Sequence, residues 1–121
     1  MNTDIEYREN LKLILKQFAL RIIKLYQALP KTGEARIIGG QLLRSSSSTA
    51  ANYRAACRAR SGKEFFSKIS IVVEEADETL FWLELLLEAE IFSKEKLELI
   101  INESTEILKI VSTARKNTQH K

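Results

Sequence analysis

Residues that interrupt helices occur at only a few places in this chain, and they divide it into four long segments. One proline and four glycines occur in 121 residues. Pro30 lacks the amide hydrogen that a helix interior needs, and Gly33, Gly62 and Ser93 mark the remaining breaks. A β-rich fold needs turn residues every ~8–12 positions, so this spacing favours an all-α fold. The predicted helices are residues 4–29, 34–60, 63–89 and 94–115.

Apolar residues recur three or four positions apart in each segment, which is the spacing of one helical face. Long helices joined by short loops lie antiparallel to their neighbours, so we predict one domain, residues 1–121, built as an up-down-up-down four-helix bundle. A helical hairpin that completes its core only by oligomerising is the alternative. We expect the polar end, residues 116–121, to lie beyond the last helix. The predicted core positions are Leu11, Ile14, Phe18, Ile22, Leu25 and Leu29, then Ile38, Leu42, Ser45, Thr49, Asn52, Tyr53 and Ala56, then Phe66, Ile69, Val73, Ala76, Leu80, Leu83 and Leu87, and finally Leu97, Ile100, Ile101, Ile107, Leu108 and Val111.

The composition argues against a membrane protein and against several classes of enzyme. No apolar run approaches the ~20 residues of a membrane span, and the polar, acidic first ten residues are unlike a secretory signal. The single cysteine, Cys57, fits a reducing cytoplasm and a small buried side chain. The only histidine is His120 in the tail, so neither a catalytic triad nor a Glu-x-x-His di-iron site can be assembled. We predict no enzymatic activity, no metal site and no cofactor.

Four consecutive serines lie in the stretch QLLRSSSSTAANYRAA, residues 41–56, which its composition alone would class as a linker. When residues are placed at about 100° per position, small and apolar side chains collect on one side and arginines on the other. We therefore predict a helix whose small residues allow a neighbouring helix to approach closely and whose hydroxyls bond carbonyls one turn back. A polar serine ladder that faces phosphate is the alternative. The arginine face consists of Arg36, Arg44, Arg54 and Arg58.

A second face of the third segment carries large apolar side chains opposite the predicted core, and a monomeric bundle would expose them. Residues 63–90 contain eight acids against two lysines, whereas the second segment contains five arginines against Glu34. We predict a ring-like homo-oligomer in which arginines of one copy meet carboxylates of the next. The alternative is that these pairs close inside one bundle. The predicted interface residues are Ile71, Glu75, Glu78, Phe81, Trp82 and Leu85.

The arginine face is also a candidate contact for nucleic acid. A net charge of +3 permits an anionic partner, and a ring would repeat Arg36, Arg44, Arg54 and Arg58 around its surface. Apart from Tyr53, the face lacks aromatic residues on which bases could stack. Binding of RNA or DNA would therefore be directed at the phosphate backbone, with little sequence specificity.

Two stretches resemble the signatures of one protein family. Residues 41–56 resemble its Gln-Leu-x-Arg-Ser…Ser…Ala-Asn core, and FSKISIVVEEADETLFWLELL, residues 66–86, resembles its Glu-Ala-x-Glu-Thr…Trp-Leu signature. The family is that of the 23S rRNA intervening-sequence proteins, also called S23 ribosomal proteins, and the resemblance covers nearly the whole chain. The matching positions are Gln41, Arg44, Ser45, Ser48, Asn52, Lys68, Glu75, Ala76, Glu78, Thr79 and Trp82.

The resemblance implies a four-helix bundle that assembles as a homopentamer and has no established catalytic residues. A related group, the accessory variability determinants of diversity-generating retroelements, forms similar basic pentamers that bind nucleic acid and a reverse transcriptase. Family members often carry an acid shortly after the motif asparagine, whereas Arg54, Ala55 and Ala56 follow Asn52 in this chain. We predict a cytoplasmic scaffold or interaction protein whose partner is itself. A low-specificity RNA- or DNA-binding ring, or the partner of a nucleic-acid-handling protein, is the alternative.

Overall fold

Residues 2–119 are described by a computed structural model, which has four helices and no strand within that range. The helices are α1 (Asn2–Ala28), α2 (Gly33–Ala56), α3 (Gly62–Glu88) and α4 (Lys94–Gln119). The predicted all-α fold with four helices is confirmed. Met1, His120 and Lys121 lie outside the described residues, and so does the prediction made for that histidine.

Two helix ends differ from the predicted boundaries. α2 ends at Ala56 rather than at residue 60, because the chain then tightens into bonds across three residues, such as Arg58 N to Ala55 O at 3.0 Å. α4 runs on to Gln119, although we expected it to end at residue 115. A polar tail indicates that its side chains face water, and it does not by itself end a helix.

A hydroxyl side chain at the start of α2, α3 and α4 accepts a hydrogen bond from an amide of the first helical turn. Such caps satisfy amides that have no carbonyl partner within the helix. Ser93, which marks the last predicted break, is one of these caps. The bonds run from Ala35 N to Thr32 Oγ1 (3.3 Å), from Glu64 N to Ser61 Oγ (3.0 Å) and from Lys96 N to Ser93 Oγ (3.4 Å).

α3 ends in a left-handed turn at Glu90, where φ is 56°. The Ile91 amide donates to the Leu86 carbonyl and the Glu90 amide donates to the Leu87 carbonyl, both at 3.0 Å. This pair of bonds is the Schellman arrangement, which satisfies the last carbonyls of a helix. It reverses the chain so that α4 can begin at Lys94.

Side chains from all four helices form the core, although some predicted positions are displaced by one residue. In α1, Leu15 is 1% exposed whereas the predicted Ile14 is 40% exposed. α3 is apolar around much of its circumference, so two neighbouring stripes satisfy the helical spacing and packing against α2 and α4 decides between them. The innermost α3 positions are Ile69, Val72, Ala76, Thr79, Leu83 and Leu86. Nine predicted core positions are only half-buried: Ile38, Asn52, Phe66, Val73, Leu80, Leu87, Ile100, Ile101 and Leu108.

Consecutive helices pack against each other, α1 on α2, α2 on α3 and α3 on α4. α1 is joined to α4 by an ion pair between Arg21 and Glu103. The four helices surround a central cavity of about 10 Å³, lined by residues that include Leu15, Ser46 and Thr79. The four-helix arrangement therefore has one shared core with almost no empty space.

Gly39 lies where α2 crosses the end of α1. A Cβ atom at this position would come within 2.7 Å of Leu29 Cδ1 and 3.0 Å of Tyr26 Cδ1. At neighbouring Gly40, nothing lies within 4 Å of the same atom. Gly39 thus allows the two helices to approach closely.

Candidate functional site

The serine run lies in the middle of α2, as predicted, and its hydroxyls bond to carbonyls of the preceding turn. Ser47 Oγ donates to the Leu43 carbonyl at 2.8 Å, and Thr49 Oγ1 donates to the Ser45 carbonyl at 2.8 Å. Ser45, Ser46 and Thr49 are buried, whereas Ser47 is exposed. These hydroxyls form no row directed at solvent, so the close-packing interpretation agrees with the structure better than the phosphate-facing ladder does.

The half-buried motif residue Asn52 is satisfied within its own helix. Its Nδ2 donates to the Ser48 carbonyl at 2.9 Å and lies 3.0 Å from Ser48 Oγ. A half-buried amide without a partner would destabilise the fold. The pairing of two motif positions one turn apart therefore has a structural explanation.

The two family-like stretches meet at a buried contact between α2 and α3. Ser45 Oγ and Thr79 Oγ1 lie 2.9 Å apart, with exposed fractions of 0% and 2%. Thr79 Oγ1 also lies 2.8 Å from the Glu75 carbonyl, which closes a short chain of hydrogen bonds. This polar contact inside an apolar core favours the observed register of the two helices, because a shift along the axis would break the hydrogen bond between them.

Arg44 covers this contact on the outside and links both helices. Its Nη1 donates to Glu75 Oε1 at 2.8 Å, its Nη2 donates to Glu78, and its Nε donates to Gln41 Oε1 at 3.1 Å. Trp82 Nε1 donates to the same Glu78 oxygen at 3.0 Å. We call these five residues, together with Ser45 and Thr79, the α2–α3 brace. For Arg44, the alternative that its ion pairs close inside one bundle is the one found here.

Hydrogen bonds within the brace shift two ionisation equilibria. The indole N–H of Trp82 and then the Arg44 guanidinium hold the pKa of Glu78 below its usual range, although partial desolvation acts in the opposite direction. Glu75 and Glu78 raise the pKa of Arg44. Both effects favour the ionised pair, so the brace is charged at neutral pH.

The other three arginines of the predicted face are exposed: Arg36 and Arg54 lie on α2, and Arg58 lies in the turn that follows it. Arg36, Arg54 and Arg58 form no ion pair with any residue in the range 2–119. The structure therefore separates the four candidate nucleic-acid contacts into one arginine that is bound within the fold and three that face solvent.

The predicted interface residues of α3 also divide into two groups. Phe81 is 51% exposed and Ile71 is 37% exposed, but Trp82 and Leu85 are half-buried and Glu75 and Glu78 belong to the brace. The Phe81 ring meets the Trp82 ring edge to face, with centroids 4.9 Å apart. Each acid of the brace is preceded in the sequence by an exposed acid, Glu74 before Glu75 and Asp77 before Glu78. We call the resulting surface the outer face of α3: Ile71, Glu74, Asp77, Phe81, Glu84 and Glu88.

A groove of about 500 Å³ runs between α1 and α2, and the sequence alone did not reveal it. Its floor is formed by small apolar residues of both helices, and their short side chains leave open space between α1 and α2. Three cations border it, of which only Lys12 has an ion-pair partner in the described part of the chain, Glu9 at 2.5 Å. We call it the α1–α2 groove; its lining residues are Glu9, Lys12, Leu13, Lys16, Ala19, Ser47, Ala50, Ala51 and Arg54.

The remaining titratable groups contribute no metal site in the part of the chain that the structure describes. Within residues 2–119, no three His, Cys, Asp or Glu side chains come together as metal ligands. Cys57 is half-buried beside Tyr53, whose pKa is raised above its usual value by burial and then by the nearby thiol. A phenol held in its neutral form next to a half-buried thiol is a packing contact.

No helix in the described range is long and apolar enough to cross a bilayer.

The molecule is thus a small four-helix bundle whose motif residues brace two helices. The family model described as 23S rRNA-intervening sequence protein matches residues 14–113. The chain belongs to this family, so the resemblance inferred from the two stretches is confirmed.

The chain is also similar to a crystal structure of a protein with unknown function from the S23 ribosomal protein family of Bacteroides thetaiotaomicron. The two sequences are 38% identical, and the alignment covers 90% of this chain and 97% of that one, with a TM-score of 0.82. The comparison with curated proteins found no significant match. The similarity defines family and fold and assigns no activity.

Proposed function

We propose that this protein is a non-enzymatic interaction protein of the cytoplasm that assembles with copies of itself into a ring-like homo-oligomer. The family resemblance implies five copies. The outer face of α3 is the surface through which one copy contacts the next. The oligomer then serves as a scaffold that presents its remaining surface to further partners.

The exposed Phe81 ring is the main support for this proposal. Phe81 and Ile71 lie among carboxylates that have no ion-pair partner in residues 2–119. Large exposed apolar side chains grouped on one face mark interaction sites. The Phe81 ring packs edge to face on half-buried Trp82, whose indole N–H is held by Glu78. Brace residues are engaged inside the chain, which leaves the outer face of α3 for a partner.

Contacts at one end of the molecule support the antiparallel up-down-up-down order of the helices. Arg8, near the start of α1, places its guanidinium 5.3 Å from the centre of the Phe65 ring at the start of α3. Arg115, near the end of α4, lies 5.1 Å from the centre of the Phe66 ring and donates to Ser70 Oγ at 2.9 Å. The starts of α1 and α3 and the end of α4 therefore share one end of the bundle, as this order requires.

Sedimentation velocity of the full chain tests the self-association. We expect the wild type to sediment as a species several times heavier than 13.8 kDa. Phe81→Ala removes an aromatic anchor and should weaken assembly by at least about 30-fold, the effect of an interface hot spot. Leu99→Ala is the matched control, because Leu99 is 72% exposed on α4 and should be replaceable without effect. Equal weakening by both substitutions would contradict a specific role for the outer face of α3.

Binding of RNA or DNA backbone is the second candidate function, and it is favoured by three exposed arginines, two on α2 and one in the turn after it. A ring would repeat Arg36, Arg54 and Arg58 in every copy, so weak contacts would add. A salt titration of binding to structured RNA and duplex DNA tests this function. Affinity should fall steeply from about 50 mM salt upward, and Arg54→Gln with Arg58→Gln should reduce the slope. Lys94→Gln with Lys116→Gln on α4 is the matched control. Absence of binding at about 50 mM salt, or an affinity that ignores salt, would remove this candidate.

A further inference from the structure

Two surfaces of this chain carry opposite charges, and each of them also exposes apolar side chains. We propose that the α1–α2 groove is the receptor for the outer face of α3 from a second copy of the chain, so that copies associate head to tail. This inference rests on the proposed self-association and adds to it the surface on the other side of the contact. Neither surface has an assigned partner among the residues that the structure describes.

The groove has the shape and lining of a site for a helix. Ala19, Ala50 and Ala51 make its floor low, and Leu13, 51% exposed, adds an apolar wall. The lining extends along α1 from Glu9 to Ala19, which is roughly 15 Å at 1.5 Å per residue. Small residues on a helix surface allow another helix to approach closely, which a groove between larger side chains would prevent.

Cations border this apolar floor. Lys16 on α1 and Arg54 on α2 are exposed and have no ion-pair partner in residues 2–119, while Lys12 is held by Glu9. An occupant that satisfies the groove must therefore be apolar along its centre and acidic along its edges. Burying the apolar floor under such an occupant would strengthen the attraction between the bordering charges, because water would be excluded from around them.

The outer face of α3 carries both apolar and acidic side chains over a matching length. Ile71 and Phe81 are its apolar residues, ten positions or roughly 15 Å apart, which equals the length of the groove along α1. Glu74, Asp77 and Glu84 lie on the same exposed face and are unpaired within the described chain. Carboxylates next to apolar anchors would reach the lysine and arginine at the groove edges while Phe81 and Ile71 contact its floor.

A nucleic-acid strand fits the groove less well. Sequence-tolerant binding of single strands relies on aromatic side chains on which bases stack, and none of the nine lining residues is aromatic. A phosphate backbone would also leave the alanine and leucine floor facing polar atoms. An acidic amphipathic helix satisfies both the floor and the edges, and this chain carries one.

The two surfaces lie on different helices, so the contact is heterologous and every copy uses one groove and one α3 face. Such a contact generates a closed ring where the rotation between copies permits, and an open chain otherwise. An isologous dimer, in which the same patch meets itself, would bring the acidic faces of two α3 helices together and would be opposed by like charges.

Two half-site variants, examined separately and as a mixture, test this inference. The groove variant carries Lys16→Glu with Arg54→Glu, and the face variant carries Ile71→Ser with Phe81→Ser. We expect each variant alone to be monomeric, with assembly weakened about 100-fold or more. Their equimolar mixture should form a one-to-one heterodimer, because one intact face and one intact groove remain. Lys94→Glu with Lys116→Glu makes the same charge change on exposed positions of α4 and should assemble like the wild type.

The outcomes separate the two proposals. A wild-type chain that is monomeric throughout would overturn the self-association itself. A wild type that assembles, with a groove variant that assembles equally well, would overturn the groove alone, and loss of RNA binding by that variant would then assign the groove to nucleic acid. Two monomeric variants whose mixture stays monomeric would also overturn head-to-tail docking. Circular dichroism must show wild-type helicity in each variant; if the groove variant loses helicity, Lys16→Gln with Arg54→Gln replaces it under the same expectations.

Discussion

The acids of the α2–α3 brace and the acids of the outer face of α3 lie on the same helix, one position apart, and they differ in whether the fold pairs them. Glu75 and Glu78 are bound by Arg44 within the chain, whereas Glu74 and Asp77 face solvent without an ion pair in residues 2–119. One half of the acidic helix is therefore used for folding and the other half is available for a partner. Acidity alone therefore does not identify an interface.

Replacement of a buried serine should give the largest effect on subunit stability. Ser45→Leu inserts a larger side chain where Ser45 is 0% exposed and only 2.9 Å from Thr79 Oγ1. We expect a loss of about 3 kcal/mol in the free energy of unfolding, because a filled core resists added volume. Ser47→Leu, two positions along the same run, is exposed and should change the value by less than about 0.5 kcal/mol. Urea denaturation measures both, and equal losses would contradict the assignment of these faces.

Removal of the central arginine of the brace should have an intermediate effect. Arg44→Ala leaves Glu75 and Glu78 without their shared cation, and we expect a loss of about 1 kcal/mol because the pair is only partly shielded from water. Arg58→Ala, in the turn just after the same helix, is the control, since Arg58 is exposed and forms no ion pair in the described chain. A loss as large for Arg58 as for Arg44 would mean that the arginines act through net charge and not through the brace.

The pH dependence of stability should reveal the same brace. The pKa of Glu78 is lower in the folded chain than in the unfolded one, mainly because Trp82 Nε1 donates to its carboxylate. The stabilisation is therefore complete above the unfolded pKa of about 4.3 and is lost as pH falls through the folded value. Wild type should exceed Glu78→Gln in unfolding free energy at neutral pH, with the difference shrinking below about pH 4. A difference that grows on acidification would have the wrong sign.

Two adjacent glutamates give the smallest expected effect and the sharpest comparison. Glu74→Gln should leave subunit stability within about 0.5 kcal/mol of the wild type, because no residue in the described chain pairs with it. Glu75→Gln removes one partner of Arg44 and should be the more destabilising change. Denaturation at a concentration below that of assembly isolates the subunit. The reverse order would exchange the roles that we assign to the two faces.

The helices and the α2 pattern could be predicted from sequence, whereas pairings between helices could not. Ser45, Thr49 and Tyr53 were assigned to the core correctly because α2 separates small and apolar residues sharply from arginines. α3 is apolar on a wider arc. Ile69, Ala76 and Leu83 were assigned to its innermost positions correctly, but the other half of that stripe was assigned one position too far along the chain. Periodicity defines positions around one helix axis and contains no information about the register between two axes.

The same limit applies to the candidate surfaces. Arg44, Glu75 and Glu78 were all identified from sequence, but whether they pair inside one copy or between copies depends on how α2 and α3 align. The α1–α2 groove was missed because neither helix alone contains a depression. Lys12, Lys16 and Arg54 become one site only after the two helices pack together. The sequence indicated the groove only through Ala50 and Ala51 near Arg54, and small residues near an arginine are common in helices that have no groove.

Cross-linking between isotopically distinct copies tests head-to-tail docking most directly. Equal amounts of ¹⁴N and ¹⁵N chains are mixed, allowed to assemble and treated with a carbodiimide, which joins a lysine amine to a carboxylate in direct contact. Mass spectrometry should find mixed-isotope peptides that link Lys16 to Glu74 or Glu84. Assembly of the wild type with no mixed-isotope link at Lys16, or with such links only between other surfaces, would contradict the docking of α3 in the α1–α2 groove.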